Sequence, residues 1–174
     1  MLKIHEFMKY LVCLGVMAAL GAMAQTNTTP QTASSSSGEE DIRFKQGEFD
    51  FSPFATYSDQ TGGKWGAGAE VTYFLLRNVG IGAATYWTQL GGTVFDNIQF
   101  EGYFRIPLME RIAPYGVASF GYQFDRDYWF ETLGGGVDFR AFKKLTAFSD
   151  LQWRIANSSA SNGVLLRLGL RLTF

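Results

Sequence analysis

The chain closes on LLRLGLRLTF, residues 165–174. Every second residue there is apolar: Leu166, Leu168, Leu170, Leu172 and Phe174, with Arg167 and Arg171 on the other parity. Strict period-two alternation describes a β-strand with two unlike faces. In a soluble sandwich the leucines would point inward. In a membrane barrel they would meet lipid and the arginines would enter the barrel. The rest of the chain decides between the two.

Working back from that strand, alternation recurs at strand length from Gly47 onward, punctuated by turn residues. Strands are expected at 48–57, 65–74, 79–88, 94–106, 113–124, 128–140 and 145–155, followed by the terminal one. The fifth is the least defined, because both of its faces are semi-apolar. Connections as short as LLRN, DRD and FKK require antiparallel neighbours. Eight strands in this order form an up-and-down meander that can close on itself.

One set of faces carries Trp65, Tyr73, Trp87, Phe100, Phe104, Phe139, Trp153 and Phe174. Rings on nearly every strand would overfill an eight-stranded interior, so this set faces outward. The opposite set holds Gly66, Gly68, Gly80, Gly82, Gly134 and Gly136 together with the charges. These are the acids Glu48, Asp50, Glu70, Glu101, Asp138 and Asp150 and the arginines Arg105, Arg140, Arg154, Arg167 and Arg171. Mixed charges and glycines suit a narrow polar lumen, where they neutralise one another. The expected fold is all-β: an eight-stranded antiparallel transmembrane barrel over 47–174.

Residues 1–24 read as a cleaved signal peptide. Lys3 and Lys9 precede an apolar stretch from Leu11 to Ala22, and Ala22-Met23-Ala24 gives a cleavage site. Residues 25–46 are polar and low in complexity, and read as a flexible leader. Removing the signal removes His5 and Cys13, the chain's only His and Cys. It leaves 13 basic and 15 acidic residues, a balance with no footprint for nucleic acid.

That composition bounds the chemistry. Without His or Cys the mature chain cannot build a nucleophile with an imidazole base. Its Gly-rich phrases lie within strands and lack the Lys of a phosphate loop. Asp125 and Asp127 sit in a turn and read as solvated. No enzyme activity, catalytic residue, cofactor or metal is expected.

LLRLGLRLTF also resembles the C-terminal signature of bacterial outer-membrane proteins, alternating apolar residues that end in Phe. That resemblance implies that Leu166, Leu168, Leu170, Leu172 and Phe174 are read by the barrel-insertion machinery of the Gram-negative outer membrane. Residues 47–174, with phrases such as NVGIGA, APYGVASFGY and GGGVDFR, resemble the small OmpA/OmpX-type, opacity-like barrels. The resemblance implies an integral, monomeric outer-membrane protein embedded in lipid. The chain ends at Phe174, so the peptidoglycan-binding domain of full OmpA proteins is expected to be absent.

Three roles remain open at this point. A plugged barrel would serve envelope integrity, a narrow porin-like channel would pass small solutes, and a surface-recognition or adhesion protein would act through its loops. Six lumen acids against five arginines favour the plug, since paired charges block flow where a lining of one sign would select ions. The outer loops SDQTGGK, QLGGT, DRD and ANSSASNG are too short for a broad adhesive surface.

Overall fold

The computed structural model describes residues 44–60, 62–88, 96–157 and 162–174. The signal peptide and the leader up to residue 43 lie outside the described residues. Eight strands follow in order: β1 (Phe49–Ser58), β2 (Lys64–Phe74), β3 (Val79–Trp87), β4 (Asn97–Arg105), β5 (Ile112–Gln123), β6 (Tyr128–Phe142), β7 (Leu145–Ala156) and β8 (Gly163–Thr173). Each pairs antiparallel with its neighbours, and β8 pairs back onto β1 to close the barrel. Tyr57 lies opposite Leu166 across that seam, and the Phe174 amide donates to the Phe49 carbonyl at 2.9 Å. Closure leaves no unpaired strand edge, as a hydrocarbon surround demands.

The barrel is inverted relative to a soluble one. Phe100 is 64% exposed and Trp153 51%, while none of the eleven lumen charges exceeds 7%. Leu168, Leu170 and Leu172 face outward and Arg167 and Arg171 inward. An apolar exterior around a charged interior is the pattern of a transmembrane barrel. The fifth strand, ambiguous in sequence, points Ala113, Tyr115 and Val117 into the lumen.

The two ends differ. Connections at 75–78, 106–111 and 143–144 lie with the N-terminal start of β1 at one end, the turn end. The ends of β1, β3, β5 and β7 and the starts of β2, β4, β6 and β8 lie at the other, the loop end. All four tryptophans, Trp65, Trp87, Trp129 and Trp153, stand near the loop end. There Trp129 stacks on Phe120 with ring centroids 4.8 Å apart. Phe49, Tyr73, Phe104, Phe139 and Phe174 ring the turn end.

The interior holds more aromatic mass than the sequence reading allowed. Phe54, Phe74, Tyr86, Tyr103, Tyr115, Tyr128, Phe130 and Phe148 are all buried on the lumen side. They fit because every one of them except Tyr128 lies directly across from a glycine. Phe54 and Tyr86 both face Gly68, Phe74 and Tyr103 face Gly80, Tyr115 faces Gly136, Phe130 faces Gly121, and Phe148 faces Gly169. A Cβ at Gly68 would come within 2.7 Å of the Phe54 ring, and one at Gly121 within 2.7 Å of Phe130. The missing side chain is the space each ring occupies.

Candidate functional site: the charged lumen

The lumen charges fall into three layers along the barrel axis. The middle layer centres on Arg167 of β8. Its Nε and Nη2 donate to Asp150 of β7 at 2.9 and 2.8 Å. Its Nη1 donates to Glu70 of β2 at 3.1 Å and to Glu101 of β4 at 2.7 Å. One guanidinium thus ties four strands across the full width of the lumen. Arg171, two pleat repeats further along β8, donates to Glu70 at 2.5 Å and Asp138 at 3.1 Å.

Neutral groups complete this layer. Tyr103 Oη lies within hydrogen-bonding reach of Glu70, at 2.8 Å, and of Glu101. Tyr115 Oη donates to Asp150 at 2.8 Å, and Thr72 donates to Glu70 at 2.6 Å. Gln99 donates to Glu101, and Gln152 to Asp150 at 3.2 Å. Buried charges persist where paired and hydrogen-bonded in this way.

The turn-end layer is built on Glu48. Its carboxylate accepts from Arg140 at 2.7 and 3.0 Å, from Arg105 at 3.0 Å, and from the Lys45 amide at 2.9 Å. Glu48 precedes β1. Burial alone would raise its pKa, but the hydrogen bond and charge of Arg140, with Arg105 beside it, outweigh burial and hold it below the usual carboxylate range. Phe44 closes this layer from below. Its ring centroid lies 4.4 Å from the Arg105 guanidinium and 4.2 Å from that of Arg140, and Arg105 stacks in turn on Phe74 at 3.6 Å. Such stacks are worth more when desolvated, as here.

Phe44 corrects one boundary. The reading of 25–46 as a solvated leader does not hold for its last residues. Phe44 is 2% exposed, Gln46 donates to the Leu75 carbonyl at 2.9 Å, and Gly47 takes φ +80 to turn the chain into the barrel. The physical reason is the pair of arginine faces that the ring covers.

The loop-end layer holds Arg154. Sequence reasoning expected it to neutralise a lumen acid. It makes no ion pair with a carboxylate among the described residues. It donates instead to the amide oxygens of Asn97, at 2.8 Å, and Gln123, at 3.0 Å, and lies 3.6 Å from the Phe130 centroid. Asp50 likewise has no ion pair among the described residues, and its Oδ1 is buried without a hydrogen-bond partner. Arg105 Nε and Nη1 and Thr173 Oγ1, also without a hydrogen-bond partner, belong to the same turn-end third, and Arg105 Nη1 lies 3.9 Å from Asp138. None of the unpartnered atoms belongs to Arg167, Arg171 or the carboxylates they hold.

All eleven charged residues singled out in the sequence therefore face the lumen, and nine of them join the ion-pair layers. The alternation missed Phe44, which lies before the first strand. It placed Tyr103 on the charged face with Glu101 and Arg105, and passed over Tyr115, which lies in the poorly defined fifth strand.

No family model matches the sequence, and no curated protein matches it. Solved structures do match in shape. The N-terminal β-barrel domain of Pseudomonas aeruginosa OprF superposes with a TM-score of 0.58 at 14% identity, covering 75% of this chain and 99% of that one. The outer membrane protein OprG from the same organism gives a TM-score of 0.53 at 14% identity, covering 76% and 98%. A structure described as de novo design of transmembrane β-barrels gives 0.58 at 17% identity, covering 75% and 98%. A designed barrel that matches as well as natural ones makes the limit of the likeness plain. What this chain shares with them is the fold, a closed eight-stranded barrel of the outer-membrane type.

Proposed function

We propose that the protein is a monomeric, integral β-barrel of the Gram-negative outer membrane whose lumen is closed by its own ion pairs. Its role in this reading is to maintain the envelope, and it neither transports solutes nor catalyses a reaction. The observation that carries the reading is Arg167. It is fully buried, and its contacts on β2, β4 and β7 fill the cross-section where a solute would have to pass. In the same reading Leu166, Leu168, Leu170, Leu172 and Phe174 present the outward face through which the insertion machinery recognises the last strand.

The test is the conductance of the refolded mature protein in a planar bilayer. Folding is checked separately by heat-modifiable gel mobility. A folded protein that leaves the bilayer silent supports the plug. Steady, reproducible openings would replace it with a narrow channel for small solutes.

A further inference from the structure

The charges outside the lumen are divided between the two ends. Among the described residues, the exposed charged side chains at the turn end are Lys45, Arg77, Arg111, Lys143 and Lys144, against the single acid Glu110. They come from all three turns and from the entry to β1, so they surround the mouth. At the loop end Asp59, Asp125 and Asp127 are exposed against Lys64 and Arg126, with Glu131 half-buried and Asp96 buried. The chain as a whole is close to neutral, so this division is a matter of placement and not of composition.

A second observation lies in the same turns. Leu108 and Met109 are each 67% exposed beside Arg111, and Phe142 is 67% exposed beside Lys143. Leu75 is exposed two residues before Arg77. Apolar side chains alternating with cations at the end of a membrane-spanning barrel match a bilayer interface: the apolar groups reach the acyl boundary while the cations stay at headgroup level. Short turns mark the periplasmic end of such barrels.

We infer that Arg77, Arg111, Lys143 and Lys144 form a collar that selects anionic phospholipid headgroups in the leaflet around the turn end. The partner is a lipid surface whose headgroups carry net negative charge. Each Lys or Arg near such a surface favours it about fivefold, so four of them, partly screened by salt, give a selection of at least about tenfold over zwitterionic lipid. The inference requires only that the barrel spans a bilayer, and it is independent of whether the lumen is plugged.

The experiment is native mass spectrometry of the folded mature protein released from micelles of equimolar phosphatidylglycerol and phosphatidylcholine. The expected result is retention of phosphatidylglycerol in at least about tenfold excess. The excess should vanish in R77Q/R111Q/K143Q/K144Q and survive in K64Q/R126Q at the loop end. Heat-modifiable gel mobility shows that both variants remain folded. Equal retention of the two lipids by the wild type would overturn the collar, as would selection that persists in the turn-end variant or disappears in the loop-end one. Displacement of the bound lipid by millimolar inorganic phosphate would overturn it too, because the cations would then be reading free anions and not a lipid surface.

Discussion

Asp150 and Arg167 stand directly opposite one another on β7 and β8, and the guanidinium grips both carboxylate oxygens, at 2.8 Å for Nη2–Oδ2 and 2.9 Å for Nε–Oδ1. The same side chain then leaves its own pair of strands for Glu70 on β2 and for Glu101 on β4, the strand opposite β8. A local cross-strand pair is thereby extended into a strut through the barrel.

Removing a strut end should be costly. Arg171→Ala would strip Glu70 and Asp138 of a shared partner in a dry interior, and Arg167→Ala would do the same to three carboxylates. Each should lower the unfolding free energy by about 3 kcal/mol or more. The urea midpoint of the folded protein in detergent is the readout, and an unchanged midpoint would refute the network. Arg167→Lys should recover little, because an ammonium cannot hold Asp150 bidentately while reaching across the lumen.

Position, not residue type, decides what an arginine does here. Leu168, next to Arg167 in sequence, faces outward and is 42% exposed near the middle of β8. Leu168→Arg should destabilise the barrel in a bilayer by about 2–4 kcal/mol, although it adds an arginine beside a stabilising one. Urea titration in vesicles measures it, and the loss should shrink as the same substitution is moved to Leu172, closer to the strand end.

The glycines opposite the rings make a separate demand. Gly121→Val should overfill the space held by Phe130 and cost about 1–3 kcal/mol. Combining it with Phe130→Ala should restore part of that loss. A double-mutant cycle in which the two changes simply add would show that the ring does not use the glycine's space.

Glu48 gives the turn end a pH dependence. Its pKa is held below the ordinary carboxylate range in the folded protein. It therefore stabilises the fold above the unfolded-state value and loses that contribution as pH falls through the folded one. Stability measured against pH should fall less steeply on the acid side in Glu48→Gln than in the wild type. Parallel curves would mean that Glu48 is not held this way.

Phe44 should act as a seal at the same end. Phe44→Ala should open the Arg105–Glu48–Arg140 layer to water, and a cysteine placed at Thr146, a buried residue whose hydroxyl accepts from Arg140 Nε at 3.3 Å, should then react with a hydrophilic maleimide at least several-fold faster. Phe44→Trp should keep the slow rate. Equal labelling in Phe44→Ala and wild type would show that the ring closes nothing.

Most of this architecture is written in local alternation. Parity alone put all eleven charges on the lumen side, and turn residues marked strand ends to within a few positions. Only β5 was ambiguous, because Ala and Gly on both faces, with Val117 and Tyr115 inside, flatten the contrast between lipid and lumen. Height and partner were a different matter. Alternation says which face Arg154 occupies, not that its neighbours across the lumen are the amides of Asn97 and Gln123 rather than acids. The match of rings to glycines depends on register between strands, which one strand's own sequence does not carry. Phe44 lies outside any strand, so alternation gives it no face, and a single ring after a polar stretch does not reveal that two arginines wait for it.

The four tryptophans offer one last consequence. Since Trp65, Trp87, Trp129 and Trp153 all lie toward the loop end, the protein's intrinsic emission is an optical report on one leaflet alone. During insertion from a single side, that emission should shift to the blue as the loop end enters the bilayer, whatever the turn end does. Quenchers confined to the leaflet at the turn end should leave it bright.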